Sequence, residues 1–371
     1  MKTKLLILMV LLMVFSDATA MKYRGMVYDV GLQYNPGEYS VEDFNTDLVR
    51  YDMKVIADTL HCNGVRIEGE DIGRLEKAAK LAAESGMKIF FNPWWMNAGA
   101  EPVADYMREA AKIAERLRKE GVDITFVAGC EFSLFNEGVF EGKNVSERLA
   151  SMMKLQELQS QPQKLKEATD MISMKLNKIL GMIVEGGREN FSGDVVYSAG
   201  SWEHVDWTMF DAVGVDYYRD RQSDEEYLSG VKEYLKHGKP VWVMEVGCCT
   251  YEGAAKLGGG GFTVLQGVDK NGNGIYAGGE APLRSEKEQA DYDEQQIRLL
   301  SDSGIEGMFV FEFSFPIAPY REKGLDSDLT AYPIVKSFPK DDPRSMLMPP
   351  WQPKEAFHRV GAVYHELEQT M

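Results

Sequence analysis

Two glutamates that follow apolar segments far apart in the sequence are the first candidates for chemistry. Glu131 comes directly after Ile124–Cys130, and Glu245 ends the apolar run that begins at Val241. A carboxylate beside an apolar strand is costly to place near a core unless it has partners or a task. One such Glu alone is best interpreted as a solvated strand end, whereas two in similar contexts indicate a paired site. Paired carboxylates are the minimum equipment for glycoside hydrolysis.

The elements that must position these residues alternate regularly along the chain. Apolar segments predict strands at residues 23–30, 64–67, 88–93, 124–130, 195–198, 212–218, 241–245 and 308–313. Segments with apolar residues at helical spacing lie between them. Ser40 with Asp43 predicts a capped start for the first helix, and Ser285 with Glu288 does so for a later one.

Strands that are apolar throughout and separated by helices predict a parallel sheet covered on both faces. Eight such units in one chain predict an α/β fold of the (β/α)₈ TIM-barrel type, in a single domain. A doubly wound open sheet is the competing architecture. It is disfavoured because neither G-x-G-x-x-G nor a P-loop follows the first strand.

The domain organisation predicted from the ends of the chain begins with a secretory signal peptide. Lys2 and Lys4 precede an apolar run at residues 5–15, and Ala18-Thr19-Ala20 forms an A-x-A cleavage site. We therefore predict a signal peptide at residues 1–20 and a barrel domain at 21–371; an uncleaved membrane anchor is the alternative. An irregular Gly-rich insertion is expected at about residues 253–282.

The charge balance of the chain excludes some classes of binding partner. The formal net charge is −17, which argues against nucleic acid and anionic membranes. It fits a secreted or extracytoplasmic protein that acts on a neutral substrate and has no membrane contact after signal cleavage.

The cysteines do not suggest a metal centre. Cys62, Cys130, Cys248 and Cys249 lie in or beside apolar segments, so we favour buried free thiols, although export would permit disulfides. The sequence contains no C-x-x-C motif, H-E-x-x-H motif or Cys/His cluster. Neither a metal nor another cofactor is predicted.

In barrels of this type the chemistry lies where the strands end. The side chains at or just beyond the predicted strand ends are Tyr28, Asp29, Arg66, Glu68, Asn92, Trp94, Trp95, Glu131, Trp202, Glu203, Asp216, Tyr217, Tyr218, Glu245, Glu312 and Phe313. Indole faces with a polar rim suit sugar rings. The three tryptophans are read equally well as core residues or as subsite contacts, and Glu312 as a structural Glu with satisfied hydrogen bonds.

This arrangement resembles the clan of retaining (β/α)₈ glycoside hydrolases, whose acid/base Glu ends strand four and whose nucleophile Glu ends strand seven. The resemblance gives Glu131 the acid/base position and Glu245 the nucleophile position. It also implies that Arg66 and Tyr218 support Glu245. Physically, a cation and a hydroxyl donor would keep Glu245 an anion, and its charge would raise the pKa of Glu131.

The sequence departs from the clan pattern at two places. Cys130 precedes the acid/base candidate where the clan has Asn, and an Asn136-Glu137 pair occurs six residues later, which leaves Glu137 as an alternative acid/base. The aromatic residue of strand eight is Phe311 or Phe313 instead of Trp. The missing Asn affects the expected contact to the sugar 2-hydroxyl.

A closer resemblance is to a little-characterised prokaryotic barrel family often labelled abortive-infection-like. It is carried by the motifs LHCNGVRI, GCEFSLF, SWEHVDW, GVDYYRD, GKPVWVMEVGCCTYEGAA and WQPKEAF. We expect an exported retaining β-glycosidase acting on an oligo- or polysaccharide, with Asp216 and Asn92 among its substrate-binding residues. The alternative is a glycan-binding barrel that has lost catalysis and serves in defence or envelope maintenance.

One further motif has the spacing of a calcium loop. The pattern D-x-[DN]-x-[DN]-G-x₅-E is matched from Asp269 to Gly274 and by Glu280. The flanks are Gly-rich and lack helical patterns, so we favour a plain turn at this position.

Overall fold

The computed structural model describes residues 21–370, so the predicted signal peptide lies outside the described residues. Eight parallel strands, labelled β1 to β8 in chain order, close into a barrel in which each strand pairs with its neighbours in sequence and β8 pairs with β1. They are Tyr23–Asp29, Gly64–Gly69, Lys88–Pro93, Ile124–Cys130, Val195–Gly200, Val213–Asp216, Val241–Val246 and Gly307–Val310. The predicted TIM barrel is confirmed.

The α-helices, labelled α1 to α9, follow the strands and pack around them. They are Thr46–Lys54, Ile72–Glu84, Ala100–Lys119, Phe132–Phe135, Val145–Met153, Pro162–Arg188, Asp224–Leu235, Glu286–Ser301 and Glu355–Gln369. Outside the barrel, the described residues form three two-stranded antiparallel sheets: Gln33–Asn35 with Glu38–Tyr39, Leu265–Val268 with Gly274–Tyr276, and Val335–Ser337 with Trp351–Pro353. Within residues 21–370, no helix combines the length and the apolar character needed to cross a bilayer.

Of the two helix starts predicted from capping residues, one is wrong and one is confirmed. The predicted cap at Ser40 is wrong: the Ser40 hydroxyl accepts a hydrogen bond from the Leu32 amide at 2.7 Å, and α1 begins only at Thr46. Asn45 caps this helix by accepting from the amides of Asp47 and Leu48. The predicted cap of α8 is confirmed, because the Ser285 side chain accepts from the Glu288 amide at 3.2 Å.

The core has two main parts, separated by the wall of the barrel, and a third, small cluster contains Trp94 and Cys130. A small cluster fills the barrel interior and includes Val27, Phe90, Val127 and Phe309, and a larger cluster lies between the strands and the helices. Successive side chains of a strand point to opposite faces. Residues two positions beyond the interior cluster therefore also point inward at the carboxyl ends of the strands. This alternation places polar side chains at the barrel mouth.

Two smaller expectations are also met. All four cysteines are buried free thiols. In the insertion, the Asp269 carboxylate accepts hydrogen bonds from the amides of Asn271 and Asn273, which closes the turn of the hairpin. The motif is therefore a turn in which the aspartate binds its own backbone, as favoured from the sequence.

Candidate active site

Glu245 lies on β7 with both carboxylate oxygens held by donors. Arg66 Nη1 donates to Oε1 at 2.8 Å, and the Tyr218 hydroxyl donates to Oε2 at 2.9 Å. Arg66 comes from β2 and Tyr218 follows β6, so the contact closes across the barrel. These two bonds fix the orientation of a carboxylate that is only 6% exposed.

Arg66 is the cation at the base of the site, and it is completely buried. Its Nη2 lies 2.9 Å from Glu68 Oε2, and its Nη1 also donates to the Met244 carbonyl at 3.1 Å. Burial opposes its charge, but Cys130, Glu245 and the other acidic neighbours outweigh burial and raise the pKa of Arg66. The guanidinium is therefore a permanent positive charge beneath the carboxylates.

Glu131 occupies an unusual backbone conformation at the end of β4. Its φ of 40° and ψ of 46° lie in the left-handed region, and Gly129 just before it has a φ of 116°. The pairing of β4 with β5 shifts its register over the same residues. A left-handed non-glycine residue costs about 1–2 kcal/mol, so the surrounding structure must impose this conformation.

The segment after Glu131 is held by residues of β5 and its following turn. Tyr197 accepts from the Phe132 amide at 2.7 Å, and Glu203 Oε1 accepts from the Ser133 amide at 2.9 Å. The Tyr197 hydroxyl in turn donates to Glu203 Oε2 at 2.8 Å. Trp202 adds a hydrogen bond from its indole N–H to the Ser133 hydroxyl at 3.1 Å. We call Tyr197, Glu203 and Trp202 the β5 clamp.

The environment of Glu131 favours the protonated acid. Burial raises its pKa well above the usual value, and the negative charges of Asp216 and Glu245 raise it further. No side-chain hydrogen bond to the Glu131 carboxyl group occurs among residues 21–370 to offset this effect. The expectation of a raised pKa is confirmed, and the group can carry a proton at a pH where an ordinary Glu is ionised.

Cys130 lies between two carboxylates. Its Sγ is 3.5 Å from Glu245 Oε1 and 3.6 Å from Asp216 Oδ2, while the Ser198 hydroxyl donates to Asp216 Oδ1 at 2.6 Å. Burial raises the pKa of the Cys130 thiol, and its single S–H has both carboxylates as alternative acceptors. Burial and the charge of Glu245 also raise the pKa of Asp216.

Two groups of side chains have the spacing to hold a metal ion within the described part of the chain. One is Cys130, Asp216 and Glu245, whose ligand atoms all lie within 4.8 Å of one another. The other is His61, His365 and Glu368 at the surface. Sequence reasoning missed the first group because its members are more than a hundred residues apart at the extremes and form no spacing motif.

A second set of polar side chains occupies the opposite part of the mouth. Asp29, Glu68 and Asn92 share one register row on β1, β2 and β3, and Glu312 follows β8. Glu68 and Asn92 are fully buried. The Asn92 side chain makes no hydrogen bond within residues 21–370, and the Glu68 carboxylate has its ion pair with Arg66 at 2.9 Å. We call these four residues the buried polar row.

The buried polar row is electrostatically strained. Burial raises the pKa of Glu68 to about 8 and that of Asp29 to about 6, and the charges of Glu68 and Asp29 add to the effect of burial on Glu312. The sequence interpretation of Glu312 as a satisfied structural Glu is wrong, because its Oε2 has no hydrogen bond among the described residues.

The three tryptophans have different surroundings. Trp94 is buried in a small cluster with Cys130 and packs edge-on against Phe135 at a centroid distance of 4.9 Å. Trp95 instead contacts Tyr106 of α3 at 5.8 Å. Trp202 belongs to the β5 clamp. The structure thus brings Trp94 next to the carboxylates through Cys130, whereas the ring contact of Trp95 is with a helix.

The alternative acid/base residue lies outside this cluster. The Asn136 side chain donates to the carbonyls of Trp95 and Ala98 at 2.7 and 3.2 Å, so it supports the loop after β3. Glu137 is exposed, and its amide donates to the Ala98 carbonyl. This geometry favours Glu131 over Glu137.

The barrel is similar in fold to several solved glycoside hydrolases. A GH113 β-1,4-mannanase superposes with a TM-score of 0.54 at 16% identity, over 93% of this chain and 99% of that one. The GH113 β-mannanase from Alicyclobacillus acidocaldarius gives 0.53 at 17%, over 95% and 100%. A Parabacteroides merdae β-glucuronidase gives 0.54 at 11%, over 93% and 36%. No family model and no curated protein matches this sequence. At these identities the likeness establishes the (β/α)₈ fold.

Proposed function

We propose that the protein is a retaining β-glycosidase with Glu245 as nucleophile and Glu131 as acid/base. One observation carries the proposal. The Glu245 carboxylate is held at both oxygens by Arg66 and Tyr218, and it acts electrostatically on the Glu131 carboxyl group, which favours its protonated form. Two side chains of the same type are thus given opposite protonation preferences by their surroundings, which is what acid and nucleophile roles require. The similar fold of solved β-mannanases is consistent with this assignment.

The proposed reaction adds one water across a β-glycosidic bond. The Glu245 carboxylate attacks the anomeric carbon while the proton of Glu131 moves to the leaving oxygen, and the glycosidic bond breaks. A glycosyl ester on Glu245 and a free alcohol result. Water then attacks the same carbon and gives its proton to Glu131, and Glu245 leaves as the carboxylate. Two inversions give overall retention.

The remaining residues have supporting roles in this proposal. Arg66 and Tyr218 orient the nucleophile Glu245. Cys130 is a hydrogen-bond donor beside Glu245, at the position where the clan of retaining (β/α)₈ glycoside hydrolases has Asn. Asp216, which the Ser198 hydroxyl fixes, raises the pKa of Glu131 through its charge. We propose Asn92, Trp94, Trp95 and Trp202 as substrate contacts or supports, as expected from the sequence.

The charge of the mouth bears on the substrate class. Carboxylates end six of the eight strands, on Asp29, Glu68, Glu131, Asp216, Glu245 and Glu312, and burial disfavours any additional negative charge. We therefore propose a neutral oligo- or polysaccharide and no uronic acid at the cleavage site. The mannanase and glucuronidase activities of the similar structures are properties of those proteins.

Export belongs to the same proposal. We propose secretion with cleavage after Ala20, which gives a mature chain beginning at Met21. Sequencing the N-terminus of the protein recovered from the culture medium of an expressing bacterium tests this. A chain that keeps Met1 and sediments with membranes would contradict export.

The central test is the stereochemistry of azide rescue. Glu245→Ala should abolish turnover of an aryl β-glycoside, and azide should restore a glycosyl azide of inverted configuration, because the anion enters the vacated space and attacks from the same side. Glu131→Ala should instead give an azide product of retained configuration. NMR of the product anomers distinguishes the two outcomes. Full activity of Glu245→Ala would end the glycosidase proposal.

A glycan-binding barrel without catalysis is the second candidate, and Cys130 is the observation that favours it. A thiol stands where the resembling clan has Asn, so a contact to the sugar 2-hydroxyl is changed. A panel of chromogenic β-glycosides discriminates the two functions. Binding of an oligosaccharide without hydrolysis of any panel member by the wild-type protein would support the binding function.

A further inference from the structure

The group formed by Cys130, Asp216 and Glu245 has the geometry of a metal site. A tetrahedral centre with Zn–S of about 2.3 Å and Zn–O of about 2.0–2.2 Å separates its sulfur and oxygen ligands by about 3.5–3.7 Å. In the structure Cys130 Sγ lies 3.5 Å from Glu245 Oε1 and 3.6 Å from Asp216 Oδ2. Both sulfur–oxygen separations therefore match those of a tetrahedral centre, and the ligand atoms of all three residues lie within 4.8 Å of one another.

The outer contacts of the two carboxylate ligands are already in place. Ser198 holds the other oxygen of Asp216, Tyr218 holds the other oxygen of Glu245, and Arg66 donates to Glu245 Oε1 itself. A carboxylate oxygen has two lone pairs, so Oε1 can accept from Arg66 and still coordinate an ion. Such partners orient ligands and strengthen metal binding.

The charges of the group also suit a divalent cation. Thiolate, Asp216 and Glu245 supply three negative charges, which a divalent ion and Arg66 together balance. A buried group that is neutral as a whole avoids the desolvation cost of an isolated charge. A sulfur ligand favours zinc and similar soft ions over magnesium or calcium.

We propose that Cys130, Asp216 and Glu245 bind a thiophilic divalent cation of the zinc class, and that the bound ion blocks the nucleophile. Coordination forms a metal–sulfur bond, and the thiol proton leaves to solvent. Glu245 Oε1 then donates its electron pair to the metal and cannot attack an anomeric carbon. Three protein ligands leave a fourth position for water. The metal site does not depend on the proposed function, whereas its inhibitory effect rests on it.

The first test uses Cd²⁺ as a spectroscopic probe on the full chain. Cadmium bound to a thiolate absorbs in the ultraviolet by charge transfer, and we expect this absorption to saturate with a single ion per chain. Cys130→Ala should lose the absorption, and the matched control Cys249→Ala, another buried thiol, should keep it. The surface group of His61, His365 and Glu368 has no sulfur and does not contribute. No absorption in the wild type, or the same absorption in Cys130→Ala, would overturn the proposal.

A second variant covers the case in which Cys130→Ala does not fold, as judged by circular dichroism. Asp216→Asn keeps the thiol and removes one charged ligand, and it should weaken Cd²⁺ binding at least tenfold. Unchanged Cd²⁺ affinity in Asp216→Asn would contradict the assigned ligand set.

The inhibitory effect is measured on aryl β-glycoside hydrolysis with Zn²⁺. We expect Zn²⁺ to stop turnover competitively with substrate and a chelator to restore it. Turnover that is unaffected when the cadmium titration shows the site to exist would overturn the blocking role and leave the glycosidase proposal intact. If metal-free protein hydrolyses no glycoside, the proposed function fails, and the cadmium absorption still decides whether the metal site exists.

Discussion

Replacing Glu131 by Gln tests the acid role most sharply, because Gln keeps the size of the side chain and removes the proton. Burial and the charges of Asp216 and Glu245 raise the pKa of Glu131, so the wild-type group holds a proton that Gln cannot supply. General acid catalysis contributes about 10²–10⁴-fold. We expect kcat/KM to fall by about that factor for substrates with a poor alcohol leaving group.

The size of the loss should depend on the leaving group. A dinitrophenolate leaves with little protonation, so the first step of the Glu131→Gln variant should be nearly as fast as in the wild type. Deglycosylation should then limit turnover, because water has lost its general base. A burst of released dinitrophenolate, followed by a slow steady state, is the expected record in a stopped-flow absorbance assay.

The control for this prediction is Glu137→Gln, which changes the exposed Glu of the Asn136-Glu137 pair. It should leave both substrates unaffected. An equal loss on both leaving groups in Glu131→Gln would refute the acid role of Glu131. A leaving-group dependence that appears in Glu137→Gln instead would transfer the role to Glu137.

Three further predictions concern pH and the partners of the carboxylates. The proposed mechanism requires Glu131 to be protonated, so kcat/KM should fall as pH rises through its raised pKa. This alkaline limb should be missing from the pH profile of Glu131→Gln with an activated substrate. Tyr218→Phe removes a 2.9 Å hydrogen bond to a charged group, worth about 1.5–3 kcal/mol, so steady-state kcat/KM should drop by about 10- to 150-fold without loss of fold. The pKa of Glu68 is raised to about 8 in the folded chain, so its contribution to stability is full below its unfolded pKa and lost as pH rises through 8. Glu68→Gln should therefore raise the melting temperature more at pH 8 than at pH 4. An equal change at both pH values would contradict this linkage.

The barrel was predictable from the sequence because its signal is distributed over many residues. Each strand is a short apolar run, and the bounds of β3 and β4 agree with the prediction to the residue. The apolar runs give the strand ends. The rule that functional residues lie at the carboxyl ends then selects Glu131, Glu245, Arg66 and Tyr218 as candidates. The contacts of Arg66 and Tyr218 to Glu245 match what the resemblance implied.

What could not be predicted depends on distances between strands that are remote in sequence. Cys130 was recognised only as a departure, because its contacts to Asp216 and Glu245 join β4, β6 and β7. Ser198 carried one readable signal, a polar residue at the inward position two places after Val196. The start of α1 was misplaced because Ser40 caps nothing when its hydroxyl binds the Leu32 amide, and only the folded loop shows that competition.

The left-handed backbone at Glu131 places the proposed acid/base role and thermal stability in conflict at a single position. Glycine adopts this conformation at no steric cost, so Glu131→Gly should recover about 1–2 kcal/mol of strain, before any gain from removing a half-buried carboxyl group. One base change in a Glu codon produces that variant. If Glu131 is the proposed acid/base, random mutation under selection for stability alone would therefore tend to remove catalysis at this position. A related chain with Gly directly after the β4 strand would lack the proposed acid/base, and it should melt at a higher temperature than the same chain with Glu at that position.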